Sequence, residues 1–172
     1  QEYPLDALSG PMHHYPQGQF VVEYDGNIVG YCATFRIGKD LALKPHTWDE
    51  ITGYGFASQH DPFGEYLYCM DLCVHPDYQG LKIENRLLFA RKRLCQAEGL
   101  TGMVMAGRMP NYHRFRKKFP TPREYINAVM SKEILEPELS IHLQNHFQIL
   151  DVLEDYSPVD EHSCGHAVHL VW

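Results

Sequence analysis

Residues 66–80 read YLYCMDLCVHPDYQG, an almost unbroken apolar run that stops at a histidine and a proline. Such a run is typical of a central strand covered on both faces, so we expect a strand over Tyr66–Val74. The residues after it recur at spacings of three and four, the pattern of an amphipathic helix: Ile83, Leu87, Ala90, Leu94 and Ala97. A turn before a helix can hold a phosphate, because the first helical N–H groups have no partners within the helix.

The rest of the chain predicts a central mixed sheet flanked by helices, in the α/β or α+β class. Further strands are expected at Phe20–Tyr24, Ile28–Phe35, Met103–Ala106, Phe147–Leu153 and His166–Trp172, and further helices at Pro122–Ser131 and Leu139–Asn145. Asp25-Gly26-Asn27 predicts a hairpin turn between the first two strands. Thr121 is expected to cap the Pro122 helix, and Gly99 to end the helix that begins near Leu81. The segment Lys44–Gly64 is interpreted as a long connection.

Composition predicts one domain over residues 1–172. The net charge of −7 argues against a nucleic-acid-binding protein, and no apolar run approaches the ~18 residues of a membrane span. Five scattered cysteines do not form zinc-ribbon pairs and favour a cytoplasmic protein. Two basic runs, 91–93 and 114–118, are interpreted as solvated helix faces, with a local anion site as the alternative.

The segment Val74–Gly80 resembles the acyl-CoA signature of the GNAT acetyltransferases, in which a strand ends in Val-x-Pro-x-Tyr and a glycine-containing turn opens a helix. Three more segments resemble the acetyltransferase-like domains fused to carbon–nitrogen hydrolases or to polyketide-synthase loading modules: Pro45–Gly53, Ala106–His113 and Ser163–Trp172. The resemblance covers roughly residues 20–172 and implies a GNAT fold. The family's first strand and helix normally precede Phe20 by more residues than are present here, so the N-terminal part is expected to be trimmed.

The resemblance implies that the substrate is acetyl-CoA or another acyl-CoA. The backbone of Leu72, Cys73 and Val74 would hydrogen-bond the pantetheine, as an added strand does. The N–H groups of six residues would face the pyrophosphate: Gln79, Gly80, Leu81, Lys82, Ile83 and Glu84. Two glycines of the family signature fall at Lys82 and Glu84, where a side chain obstructs the phosphate and a carboxylate competes with it.

Two residues are candidates for catalysis. His142 stands where the family commonly has a tyrosine that protonates the leaving thiolate, and imidazole can act as an acid or base near neutral pH. Asp71 is a possible base. The alternatives are a half-buried helix histidine and a structural carboxylate. No metal is expected, because the pair His142 and His146 lacks the glutamate of a His-Glu-x-x-His motif.

Three functions remain open from the sequence. The first is a CoA-dependent N-acyltransferase that acts on a small amine or a protein amine. The second is a GNAT-like malonyl-CoA decarboxylase and S-acyltransferase that loads an acyl carrier protein in polyketide synthesis, with the basic run 114–118 as the docking surface. The third is a degenerate domain that binds a partner without catalysis.

Overall fold

The computed structural model describes residues 5–172, with side chains from Ala7 onward. This part of the chain forms six strands and seven α-helices. The strands are β1 (Phe20–Tyr24), β2 (Asn27–Ile37), β3 (Tyr66–Val74), β4 (Gly102–Gly107), β5 (Gln148–Leu153) and β6 (Ala167–Val171). The helices are α1 (Leu5–His14), α2 (Lys39–Ala42), α3 (Trp48–Thr52), α4 (Ile83–Ala97), α5 (Tyr112–Phe115), α6 (Pro122–Met130) and α7 (Pro137–Gln144). The predicted mixed sheet flanked by helices is confirmed. The single domain predicted over 1–172 includes residues 1–4, which lie outside the described residues.

The strands form one sheet in the order β1-β2-β3-β4-β6-β5. The pairs β1–β2, β2–β3 and β5–β6 are antiparallel. The β1–β2 hairpin turns through Asp25 and Gly26, both at positive φ, as the predicted turn requires. β3 and β4 are neighbours in the order and are joined through α4, the kind of crossover that parallel neighbours need.

The chain divides into two compact units: one comprises the residues up to Lys44 and Asp49–Val104, the other Pro45–Trp48 and Met105–Trp172. In the first unit, α4 packs on the sheet through a cluster of Val29, Cys32, Ile83 and Leu87. In the second unit, the cluster of Leu153, Tyr156 and Ala167 is covered by Trp48 and Ala106. The first unit therefore contains the end of β3 and α4, and the second contains the end of β4 and α7.

The buried face of α4 differs from the predicted one. Ile83 and Leu87 are buried as expected, but Leu94 is half-buried and Ala97 is exposed. The face is completed instead by Leu88, Arg91 and Cys95. The interpretation of 91–93 as a solvated face is therefore wrong for Arg91, which is 2% exposed. Position 91 lies four residues after Leu87 and three after Leu88, so helix geometry turns it toward the sheet despite its charge.

Capping residues and glycines in the sequence correctly predicted several helix ends. Thr121 caps α6 in a capping box with Glu124, and Gly99 follows the end of α4 at φ 62°. The connection Lys44–Gly64 contains the short helix α3, which the sequence did not predict because five residues are too few to show a helical period. Within residues 5–172, no helix combines the length and apolar character that crossing a membrane requires.

Candidate functional site

The C-terminal half of β3 begins at a β-bulge. Ala33 pairs with Asp71 and Thr34 with Cys69, so Met70 is an extra residue on β3 without a partner on β2. A bulge bends its strand and leaves backbone groups outside the regular ladder. The three residues predicted to bind pantetheine, Leu72 to Val74, follow this bend directly.

Backbone polar groups alternate in direction along this end of β3. The His75 N–H donates to the Val29 carbonyl at 2.9 Å, just beyond the last ladder pair, Gly30 and Val74. Because hydrogen-bonded pairs alternate in an antiparallel ladder, the N–H and C=O of Cys73 face β2 and those of Leu72 and Val74 face away from it. Two of the three residues thus direct polar backbone groups to the side of β3 opposite to β2, where β4 is the next strand in the sheet.

Asp71 and Cys73 share the face of β3 opposite to α4, because Leu72 and Val74 pack against the Ile83 cluster. Asp71 Oδ1 accepts a hydrogen bond from the Leu72 N–H at 2.9 Å and from the Cys73 thiol at 3.6 Å. Burial raises the pKa of the Asp71 carboxyl, which brings it closer to the range useful for a base. Burial and the Asp71 charge raise the pKa of Cys73 to about 11, so this thiol stays protonated at neutral pH.

The turn after β3 is held by local contacts. His75 Nδ1 accepts a hydrogen bond from the Asp77 N–H at 3.2 Å, and a short 3-10 turn covers Pro76–Tyr78. Gly80 has φ 80°, and a Cβ added there would meet nothing within 4 Å. The backbone conformation therefore favours glycine at this position, and the space beside it is open.

Lys82 is the N-cap of α4 and has a left-handed backbone, with φ 59° and ψ 27°. This conformation explains why the family signature has glycine at the same position. The first rung of the helix runs from the Arg86 N–H to the Lys82 carbonyl at 3.2 Å, so the N–H groups of Ile83 and Glu84 lie before it. Of the six residues predicted to face a pyrophosphate, Gln79 to Lys82 are exposed, Ile83 is buried and Glu84 is half-buried.

The strained backbone at Lys82 gives a prediction about stability. Lys82→Gly is expected to raise the free energy of unfolding by about 0.5–1 kcal/mol, because relief of the left-handed conformation outweighs the entropy that glycine adds to the unfolded chain. Lys132 has φ 64°, so Lys132→Gly should give a similar gain. Lys117→Gly, at an exposed site without positive φ, should give none. Urea unfolding measures all three, and a loss of stability in Lys82→Gly would contradict the prediction.

His142 lies beside the end of β4. Its side chain is half-buried with Nδ1 inside, and its ring makes an edge contact with Phe147 at 5.9 Å between centroids. A Cβ added to Gly107, the last residue of β4, would come within 3.6 Å of His142 Cδ2. The Phe147 N–H also donates to the His142 carbonyl at 3.1 Å, which ties the end of α7 to the start of the next strand. Both a proton donor and a half-buried helix histidine are consistent with this placement.

The loop after β4 is anchored at three points. Arg108 donates two hydrogen bonds of 2.8 Å to the Asp160 carboxylate, and the Met109 N–H donates to Ser163 Oγ at 3.0 Å. The Asn111 N–H donates to Glu136 Oε2 at 3.0 Å. These anchors account for the sequence motif at Ala106–His113, and they fix the segment that lies against His142. Sequence reasoning missed the role of Glu136, whose side chain is 0% exposed.

The remaining histidines form ring pairs. His46 lies 5.1 Å from His169, and His113 lies 4.9 Å from His162, measured between ring centroids. Across the part of the chain that the structure describes, no group of three or more His, Cys, Asp or Glu side chains is arranged to hold a metal ion. In the basic run 114–118, Lys118 pairs with Glu133 at 2.5 Å, while Arg114, Arg116 and Lys117 are exposed.

The chain is similar to a known protein family and to known relatives. Residues 1–116 match the model of the acetyltransferase (GNAT) family. Over 172 residues the chain is 37% identical to the probable hydrolase YhcX of Bacillus subtilis (strain 168), and it spans 33% of that protein. It is also 26% identical to the uncharacterized N-acetyltransferase YkwB of the same organism, over 97% of the chain and 73% of YkwB.

Two solved structures are similar over most of the chain. The GNAT-like decarboxylase GphF in complex with isobutyryl-CoA superposes with a TM-score of 0.78 at 26% identity, covering 95% of this chain and 82% of that one. The loading GNATL domain of CurA from Lyngbya majuscula superposes with a TM-score of 0.83 at 23% identity, covering 99% and 83%. The second likeness shows the fold alone. The expected resemblance to GNAT acetyltransferases is confirmed.

Proposed function

Because the chain belongs to the acetyltransferase (GNAT) family, we propose that it is an acyl-CoA-dependent acyltransferase that transfers an acetyl or similar acyl group to an amine. The observation that carries this proposal is the continuous path from the bulge at Met70, along β3, to the left-handed Lys82 at the start of α4. Members of this family typically transfer acyl groups from CoA. That the acyl group is acetyl or similar and that the acceptor is an amine are both part of the proposal.

The residues of the first unit fit an acyl-CoA. The outward carbonyl of Leu72 and the outward N–H and C=O of Val74 would bond the amides of pantetheine. The N–H groups at the start of α4 would face the pyrophosphate, with the open space beside Gly80 available to it. Lys82 would supply a positive charge in place of the close approach that glycine gives.

Two side chains would move protons in this proposal. Asp71, with its raised pKa, would accept a proton from the attacking amine. His142 would donate a proton to the leaving thiolate. Asp71 belongs to the first unit and His142 to the second, and each is placed by the packing of its own unit.

A second function is favoured by one comparison. GphF, a GNAT-like decarboxylase, is similar to this chain in both sequence and structure. His142, which stands where the family has tyrosine, would suit protonation of the enolate that forms when a malonyl group loses CO₂. In this reading the exposed cations Arg114, Arg116 and Lys117 would dock an acidic acyl carrier protein.

One experiment distinguishes the two functions. The protein is titrated with acetyl-CoA and with malonyl-CoA by calorimetry, and each mixture is then assayed for free thiol with a panel of amines and for CO₂ release. Thiol release from acetyl-CoA that depends on an amine supports N-acyl transfer. CO₂ release from malonyl-CoA without an amine would replace it with the decarboxylase. No binding of either ester would overturn both.

Charge at the start of α4 gives a prediction about affinity. Glu84→Gln is expected to strengthen acetyl-CoA binding about fivefold at low salt, because it removes a carboxylate that competes with the pyrophosphate for the positive helix end. Glutamine keeps the helix propensity and size of glutamate. Glu23→Gln, which removes an exposed carboxylate from β1, serves as the control and should not change the affinity. Unchanged or weaker binding by Glu84→Gln would place the pyrophosphate elsewhere.

A further inference from the structure

Arg91 is a cation held inside the first unit. Its side chain is 2% exposed, and one terminal nitrogen, Nη2, donates to the carbonyl of Ala33 at 3.1 Å and to the carbonyl of Asp71. None of the ion pairs among the described residues includes Arg91, and its Nε is buried without a hydrogen-bond partner there. Burying a charge is costly unless it is compensated. The hydrogen bonds from Nη2 go to backbone carbonyls, and the Asp71 carboxylate attracts the guanidinium from a longer distance.

The position of Arg91 coincides with the bulge. Ala33 and Asp71 face each other across the ladder immediately before the register shifts at Met70. A bulge turns carbonyls out of the regular ladder, and a planar guanidinium with several donors can bond two of them at once. Arg91 therefore holds together the two strands at the point where β3 bends.

The Asp71 carbonyl and the Leu72 N–H belong to the same peptide group. A cation that hydrogen-bonds the carbonyl polarises the peptide and makes the N–H on its other side a stronger donor. This N–H faces away from β2 and is bonded at 2.9 Å by the Asp71 carboxylate in the structure. A ligand carbonyl that reaches it would take over this donor.

We propose that Arg91 is a positioning residue that, from beneath the sheet, polarises the Asp71–Leu72 peptide so that the Leu72 N–H stabilises the thioester carbonyl of the acyl-CoA. This inference rests on the proposed function, since it needs an acyl-CoA along β3. Negative charge develops on the carbonyl oxygen during acyl transfer, and also in the enolate of a decarboxylation. A preorganised donor at that oxygen accelerates either reaction.

The test removes the charge of Arg91 while a donor stays on the side chain. Arg91→Lys keeps the charge, and Arg91→Gln replaces it with a neutral amide donor that ends two bonds short of Nη2. Arg93→Gln is the matched control, since Arg93 is exposed on the same helix. The measured quantity is the carbonyl stretching frequency of bound acetyl-CoA labelled with ¹³C at the thioester carbon, obtained by difference infrared spectroscopy together with the Kd and kcat.

We expect the frequency to be lowered on binding to the wild type, Arg93→Gln and Arg91→Lys, and to return toward the free value in Arg91→Gln. Turnover of Arg91→Gln should fall about tenfold relative to Arg91→Lys, with similar Kd values for both. Equal frequencies in Arg91→Gln and the wild type, or an equal loss in both Arg91 variants, would overturn the role of the charge while leaving the proposed function intact. Failure of the wild type to bind acetyl-CoA would overturn the proposed function and this inference together.

Discussion

His142→Ala is expected to lower turnover about 10²-fold, with the Kd for acyl-CoA changed by less than about twofold. The reason is that a proton donor contributes to the transition state and little to ground-state binding. The ring contacts Phe147 in the second unit, whereas β3 and α4 belong to the first, so we expect the substitution to remove the acid and leave the packing of β3 and α4 in place. Steady-state kinetics and calorimetry measure the two quantities.

His146 provides the matched control. It is exposed just beyond the end of α7 and has φ 66°, a conformation that asparagine tolerates. His146→Asn should therefore retain full turnover. If His142→Ala also retains full turnover, the catalytic role of α7 is excluded, and a partner-binding domain without catalysis becomes the better explanation.

Tyrosine at position 142 distinguishes the two proposed reactions. His142→Tyr restores the residue that the family commonly has, and a phenol can protonate a leaving thiolate. If the chain transfers acyl groups to amines, this variant should recover part of the activity that His142→Ala loses. If it decarboxylates malonyl-CoA, the variant should remain inactive. Both activities are followed with the assays for thiol and CO₂ release.

The sequence predicted the elements whose signals are local or repeated. The boundaries of β3 follow from the apolar run Tyr66–Val74 and its end at His75-Pro76, and those of α6 from Thr121 and Pro122. The helices α2, α3 and α5 have four or five residues, which is too short for a periodic pattern. The bulge at Met70 could not be predicted, because it depends on the register of the partner strand.

Two buried charges were missed for different reasons. Arg91 stands in a basic run and was assigned to solvent by its charge, although its spacing from Leu87 and Leu88 indicates the buried face of α4. Glu136 resembled an ordinary acidic residue before a helix. Its burial depends on Asn111 and Tyr125, which are distant in sequence, so no local pattern indicates it.

Glu136→Ala is expected to lower the free energy of unfolding by about 3 kcal/mol. Glu136 Oε2 accepts hydrogen bonds from the Asn111 N–H at 3.0 Å and from the Tyr125 hydroxyl at 2.7 Å. The substitution leaves the half-buried Asn111 N–H and the buried Tyr125 hydroxyl without this acceptor, and it adds a cavity. It also releases the loop after β4 from the start of α7. Urea unfolding at pH 5 measures the loss.

The ionisation of Glu136 makes the free energy of unfolding depend on pH. Burial raises its pKa above the ordinary value of 4.5, although its two donors and the Arg108 charge lower it in part. The folded state therefore binds a proton more tightly than the unfolded state. Stability from this group is complete below pH 4.5 and is lost as the pH rises through the raised pKa. Within that window the loss is up to about 1.4 kcal/mol per pH unit.

Glu136→Gln isolates this contribution, because glutamine keeps the acceptor for Asn111 and Tyr125 but cannot ionise. Its stability relative to the wild type should improve as the pH rises from 4.5 through the raised pKa of Glu136. Burial also raises the pKa of Asp71 and Glu138, so the wild type alone shows a combined effect that only the difference between proteins separates. Glu154→Gln removes an exposed carboxylate of the same unit and should show a constant difference. A constant difference for Glu136→Gln as well would mean that Glu136 ionises in the folded protein as it does in the unfolded chain.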